Sequence, residues 1–141
     1  MNMNFYFTLK NGETTPFFTE KDEVTDVYAL NKIPLTNREL TRFNKLMKDE
    51  RTRQIFWEIY ERACGEPAKA FCCALHTSFT IYPDGSDEKY DFAVEMFENN
   101  YHDLTDEEEQ NFDPDFFLRK ELEGDDSFFW IGGDLVEILW L

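Results

Sequence analysis

The chain has 141 residues, of which 42% are hydrophobic and 17% aromatic, and thirty Asp and Glu against fourteen Lys and Arg give a formal net charge of −16. Fifteen Phe, six Tyr and three Trp exclude a disordered acidic tail, because such tails lack the apolar surface that offsets the entropy of ordering. The length suits a single compact domain over residues 1–141, with a core large enough to carry it.

No apolar run is long enough for a membrane-spanning helix. The opening "MNMNFYFTLKNGE" lacks the basic region, long apolar stretch and small-residue cleavage site of a secretory signal. The expected setting is therefore cytoplasmic, away from membranes. Three cysteines, Cys64, Cys72 and Cys73, fit reduced thiols better than a disulfide framework.

The charge is unevenly spread. Residues 34–75 hold six acids and eight bases, whereas residues 76–141 hold nineteen acids and three bases. Within 84–126, seventeen acids stand against Lys89, Arg119 and Lys120.

In chain order, "FYFTLKNGETTPFF" reads as a hairpin: Phe5 and Phe7 alternate with polar neighbours, and Asn11-Gly12 is a strong turn signal. Residues 19–33 read as a helix capped by Thr19, with Val24, Val27 and Tyr28 on one face. Residues 36–75 carry the clearest helical pattern. Thr36 and Glu39 form a capping box, and Leu40, Phe43, Leu46 and Met47 share a face. Ile55, Phe56, Ile59, Tyr60 and Ala63 share another, and Gly65 is a stop signal. The pattern fits either two helices broken near Asp49 or one continuous helix, followed by a short apolar helix from Pro67 to about Leu75.

From Thr77, Phe79 and Ile81 alternate, Pro83-Asp84-Gly85 turns the chain, and Tyr90, Phe92, Val94 and Met96 alternate again, which predicts a second hairpin. Thr105 with Glu108 forms a further capping box, and Asp113-Pro114 reads as an N-cap followed by Pro at the first helical position. Two short acidic helices near 105–123 are thus expected, docked by the rings among them. "SFFWIGGDLVEILWL" predicts a third hairpin around Gly132-Gly133-Asp134, its second arm buried on both faces, with Glu137 at an edge or beside a base. The expected fold is α+β: an antiparallel sheet of about three hairpins, with the 36–75 helical segment packed on one face.

No catalytic signature appears: two His, no G-x-S-x-G, no H-E-x-x-H, no P-loop and no Rossmann fingerprint. "CGEPAKAFCCALH" lacks the paired spacing of a zinc site, and its cysteines read as core residues. "PDGSDE", "DPDFF" and "EGDDSF" are rich in carboxylates but none matches a calcium loop, so no metal and no cofactor is expected. The acids themselves are the candidate site: Asp84, Asp87, Glu88, Asp91, Asp103, Asp106, Glu107, Glu108, Glu109, Asp113, Asp115, Glu121, Glu123, Asp125 and Asp126.

A single-sign field this large exceeds what solubility needs and works against compactness. Held in place by rings, it can imitate a phosphate backbone, which carries one charge per about 1.7 Å of duplex axis. The expected function is that of a non-enzymatic acidic inhibitor that occupies the basic DNA- or RNA-binding groove of a nuclease or effector complex. Phage- or mobile-element-encoded anti-restriction and anti-CRISPR proteins work in this way. The alternatives are an immunity protein that neutralises a basic nuclease toxin, or an adaptor domain whose acidity is incidental. Direct nucleic-acid binding is disfavoured by repulsion. The bases Arg38, Arg42, Lys45, Lys48, Arg51 and Arg53 are expected to pair with the chain's own acids or with a second copy, which makes a homodimer one of the expected states.

Overall fold

A computed structural model describes residues 5–8, 14–17, 37–63 and 67–140. The expected helix at 19–33, the Asn11-Gly12 turn, the Thr36 cap, Cys64 and the Gly65 stop lie outside the described residues. The chain divides into two compact units, one ending at Thr77 and one spanning Ser78–Trp140.

The first unit holds strands β1 (Phe5–Thr8) and β2 (Thr14–Phe17), an antiparallel pair with Phe5 opposite Phe17. Three helices follow: α1 (Asn37–Lys48), α2 (Glu50–Arg62) and α3 (Pro67–His76). The chain breaks at Asp49 because Asp49 caps α2, its carboxylate accepting from the Thr52 N–H at 3.0 Å. Each helix contributes one buried ring to a triangle of Phe43, Phe56 and Phe71, whose centroids lie 5.3–5.5 Å apart. These edge-on and tilted contacts add to the area the rings remove from water.

The basic side chains of this unit are partly used at home. Arg42 donates to the Leu75 carbonyl, Arg53 to the Met47 carbonyl at 3.1 Å, and Arg62 pairs with Glu58 at 3.1 Å. His76 Nε2 lies 2.7 Å from Glu39 Oε2, so its partner is a carboxylate rather than a thiol. Cys72 and Cys73 are half-buried, and burial, with Glu39 nearby, pushes the Cys72 thiol above its usual range.

The second unit holds β3 (Ser78–Tyr82), α4 (Asp87–Asn100), α5 (Asp106–Gln110), α6 (Pro114–Glu121), β4 (Phe128–Ile131) and β5 (Asp134–Leu139). Its strands form an antiparallel sheet in the order β3-β5-β4, with Leu135 opposite both Tyr82 and Trp130. Ala93, Leu118 and Leu135, fully buried, form a core between α4, α6 and this face of the sheet, with Tyr82, Phe92, Phe117 and Trp130 packed around them.

The architecture is mixed helix and strand, with six helices among the described residues. Two expectations need correction. Residues 87–100 are helix, so the second hairpin does not exist, and the described strands fall into two separate sheets instead of one. The alternation of Tyr90, Phe92, Val94 and Met96 also contains helical spacings, since Phe92 and Met96 are one turn apart. The arbiter is Ser86, whose hydroxyl accepts from the Lys89 N–H at 3.2 Å, with Asp87 and Glu88 in the first turn. Glu137 is the other correction. β5 is the central strand, with Leu135, Val136 and Ile138 all buried, and Glu137 accepts from the Tyr82 hydroxyl at 3.2 Å. Burial first, and then Glu137, raise the Tyr82 pKa above the ordinary phenol range.

Candidate partner-binding surface

All fifteen candidate acids fall in the second unit, which holds nineteen Asp and Glu against Lys89, Arg119 and Lys120. The fold uses them in two ways. One group is tied into the structure and the other faces water.

The tied group is built around Lys89. It sits in the first turn of α4, is 2% exposed, and carries a positive charge into the unit. Its Nζ donates to the Gly133 carbonyl at 2.7 Å, lies 2.7 Å from Asp115 Oδ1 and 3.4 Å from Asp84 Oδ1, and stands 5.5 Å from the Trp130 ring. Asp115 Oδ1 is buried and sits off the axis of a proper hydrogen bond, so the ammonium is its electrostatic neighbour rather than a donor aligned to it. The Asp84 N–H donates to Asp134 Oδ1 at 2.8 Å, which fixes the β3–α4 turn against the β4–β5 turn. The Arg119 guanidinium lies 4.0 Å from the Trp130 ring centroid and reaches the Gly132 carbonyl at 3.3 Å.

Other carboxylates of this group fix helix ends. Asp113 caps α6, accepting from the Phe116 N–H at 3.1 Å, with Pro114 at the first position. Thr105 and Glu108 exchange hydrogen bonds as a capping box on α5. Asp125 accepts from the Ser127 N–H at 2.9 Å, and Glu121 from the Tyr101 hydroxyl at 2.9 and 3.0 Å. That last bond raises the Tyr101 pKa.

Facing water are Asp87, Glu88, Asp91, Asp103, Asp106, Glu107, Glu109 and Glu123, all exposed, from α4, α5, the segment between them and the turn that follows the end of α6. Asp126 is exposed as well. Asp106, Glu107, Glu108 and Glu109 fill the first turn of α5, where negative charge complements the helix dipole. The bond from the Thr105 N–H, more than any other influence, holds the Glu108 carboxyl below its ordinary value, and His102, with Nε2 3.2 Å from both Glu108 oxygens, acts in the same direction. A group with a depressed folded pKa stabilises the fold above its unfolded value and loses that contribution as pH falls through the folded value. Glu108 is therefore expected to titrate below the ordinary glutamate value in a side-chain NMR titration, with the α5 cap intact at neutral pH and loosening only in acid. A midpoint at or above that value would contradict the capping geometry.

The rings of this region form the other part of the site. Phe97, Tyr101, Phe112, Phe116 and Phe117 line a groove of about 660 Å³, and Glu108, Asp113 and Glu121 stand among its walls. Phe97, Phe112 and Phe117 form a second triangle, with centroids 5.5–5.9 Å apart. The sequence shows the rings and the acids but not the groove, because its walls come from three separate segments. Lys89, Trp130 and Gly133 are not among the candidates: the sequence marks Gly133 only as part of a turn and Lys89 only as one of three bases in the acidic stretch.

Among the described residues no group of three or more His, Cys, Asp or Glu is placed to hold a metal ion, and no helix is long and apolar enough to cross a membrane. No protein-family model, curated protein or solved structure matches this chain.

Proposed function

We propose that this chain is a non-enzymatic inhibitor that acts by charge mimicry, laying its acidic second unit in the basic groove of a nucleic-acid-handling protein and excluding the natural phosphate ligand. One observation carries the reading. Nine of the fifteen candidate acids are mounted on capped helices, α4, α5 and α6, of which α4 and α6 pack on an aromatic and aliphatic core, with the region's most buried base, Lys89, drawn inward and Arg119 stacked on a ring. A solvated tail holds no fixed arrangement of charges; helices anchored by rings do. The expected partner is a nuclease or an effector complex with a Lys- and Arg-lined groove, and the association is steered, fast and salt-sensitive.

The test is retention of host proteins on the immobilised full chain, with two variants beside the wild type. One neutralises Asp106, Glu107 and Glu109 as Asn, Gln and Gln, and the other reverses all three to Lys. Glu108 is left in place, since its change would unpick the α5 cap as well as the charge. A retained nucleic-acid-binding protein should lose affinity stepwise from wild type to neutral to reversed. Its Kd should rise on the order of tenfold or more between about 50 and about 200 mM salt, and duplex nucleic acid should compete for it. Affinity indifferent to salt and to both variants would refute mimicry.

A further inference from the structure

Charge mimicry needs no cavity, yet the acidic unit has one. The groove among Phe97, Tyr101, Phe112, Phe116 and Phe117 is within the size range of ligand sites, and its surface is mostly apolar. Tyr101 and Phe116 are 59% and 60% exposed, and both are on its wall. Exposed rings gathered on one groove are the kind of surface that marks a binding site.

Charge selects the occupant. Glu108, Asp113 and Glu121 line the groove, with the single ammonium of Lys120 held 4.8 Å over the Phe116 ring. The exposed carboxylates of Asp103, Asp106, Glu107 and Glu109 belong to the same stretch of chain. Negative side chains thus stand among the apolar ones in the lining, and further exposed acids lie close by in sequence. A small organic cation would satisfy the lining and leave the outlying acids unused. A linear segment with an apolar side chain in the middle and bases on both sides would meet all of them.

We propose that this groove receives an aromatic anchor residue from a Lys- and Arg-rich segment of a protein partner. The anchor enters between the rings of Tyr101 and Phe116, where aromatic residues supply most binding energy at such interfaces. Its flanking bases meet Glu108, Asp113 and Glu121. The inference goes beyond mimicry, since it adds a component of binding that salt does not screen, and it holds for any partner carrying such a segment.

The experiment uses the full chain and fluorescein-labelled synthetic peptides, read by anisotropy. One peptide is KKRWKRK, and the control carries Gly in place of Trp. At about 0.3 M salt, where exposed charges are screened beyond several ångströms, the Trp peptide should bind roughly tenfold tighter than the Gly peptide. Phe116→Ala should reduce that advantage to threefold or less while leaving the Gly peptide nearly unchanged. Tyr101→Phe, which keeps the ring and loses the bond to Glu121, should retain most of the advantage. Phe116 is exposed, so its removal should leave the fold intact, and an unchanged near-UV circular dichroism spectrum checks this. Equal binding of the two peptides, no binding by either, or a Trp advantage that survives Phe116→Ala would each overturn the proposal.

Discussion

Lys89→Met is expected to lower the unfolding free energy by about 2–3 kcal/mol, the range for leaving a buried polar group and a partly buried carboxylate without their charged partner. The reasoning starts from what burial does to an ammonium. Taking it from water costs several kcal/mol, recovered only if its surroundings are well placed. Here they are the Gly133 carbonyl and Asp115 Oδ1, both at 2.7 Å, with Asp84 Oδ1 at 3.4 Å and the Trp130 ring above. Methionine preserves the apolar stem and removes both the charge and its desolvation cost. What remains is a carbonyl that has lost its donor and a buried carboxylate oxygen with no cation near it. The side chains of Asp84 and Asp115 are 69% and 36% exposed, so water softens the loss, and the expected value stays below that of a sealed ion pair. Denaturant unfolding followed by tryptophan fluorescence measures it. Adding Asp115→Leu should recover part of the loss, with a coupling of about 1–3 kcal/mol. If Lys89→Met unfolds at the wild-type midpoint, the ammonium contributes nothing beyond its stem.

The second large effect is at Gly133. A Cβ built there would lie 2.3 Å from Asp84 Cγ and 2.5 and 2.6 Å from its two oxygens, closer than any real contact. Gly133→Ala must therefore drive the Asp84 side chain from its place beside Lys89, or push the β4–β5 turn away from the β3–α4 turn. Overpacking in a sealed core costs roughly 1–3 kcal/mol, and because the Asp84 side chain is 69% exposed and can swing aside, the expected cost is at the low end, about 1 kcal/mol. The cause can be isolated. In an Asp84→Ala background the obstructing carboxylate is gone, and Gly133→Ala should cost less than half as much. An equal cost in both backgrounds would place the strain in the backbone of the turn instead.

Both predictions rest on contacts that no local pattern in the sequence announces. What was legible was what capping and periodicity write down within a few residues. The 36–75 region reads as helix from its apolar faces, while the choice between one helix and two broken near Asp49 is settled only by the Asp49 cap seen in the structure. Thr105 and Asp113 stand immediately before helices for the same reason. Residues 87–100 read as strand because a run dense in apolar residues satisfies periods of two and of 3.6 together, and the cap at Ser86 shows only in the structure. Glu137 was misplaced because a charge in an apolar strand suggests an edge, and Tyr82, its partner across the pair β3–β5, is distant in sequence. The acids of the candidate surface could be enumerated from the sequence. Their division into those that hold the fold and those that face water could not, since it depends on where Lys89, Tyr101 and Gly133 lie in space.

That division bears on how such a chain can evolve. Asp84, Asp115, Glu108 and Asp113 are each bound to one place by a specific partner, so a change at any of them is felt by folding. Asp91, Asp103, Glu107, Glu109 and Glu123 are exposed, where Asp and Glu interchange at little cost and an acid lost at one position is replaced by one gained nearby. Descendants under selection for the same negative field would therefore drift quickly in residue identity across the surface while holding their total charge and a small scaffold of Lys89, Trp130 and Gly133. Kinship among such chains would be written in that scaffold and in the charge sum, and little of it in the letters of the acidic stretch itself.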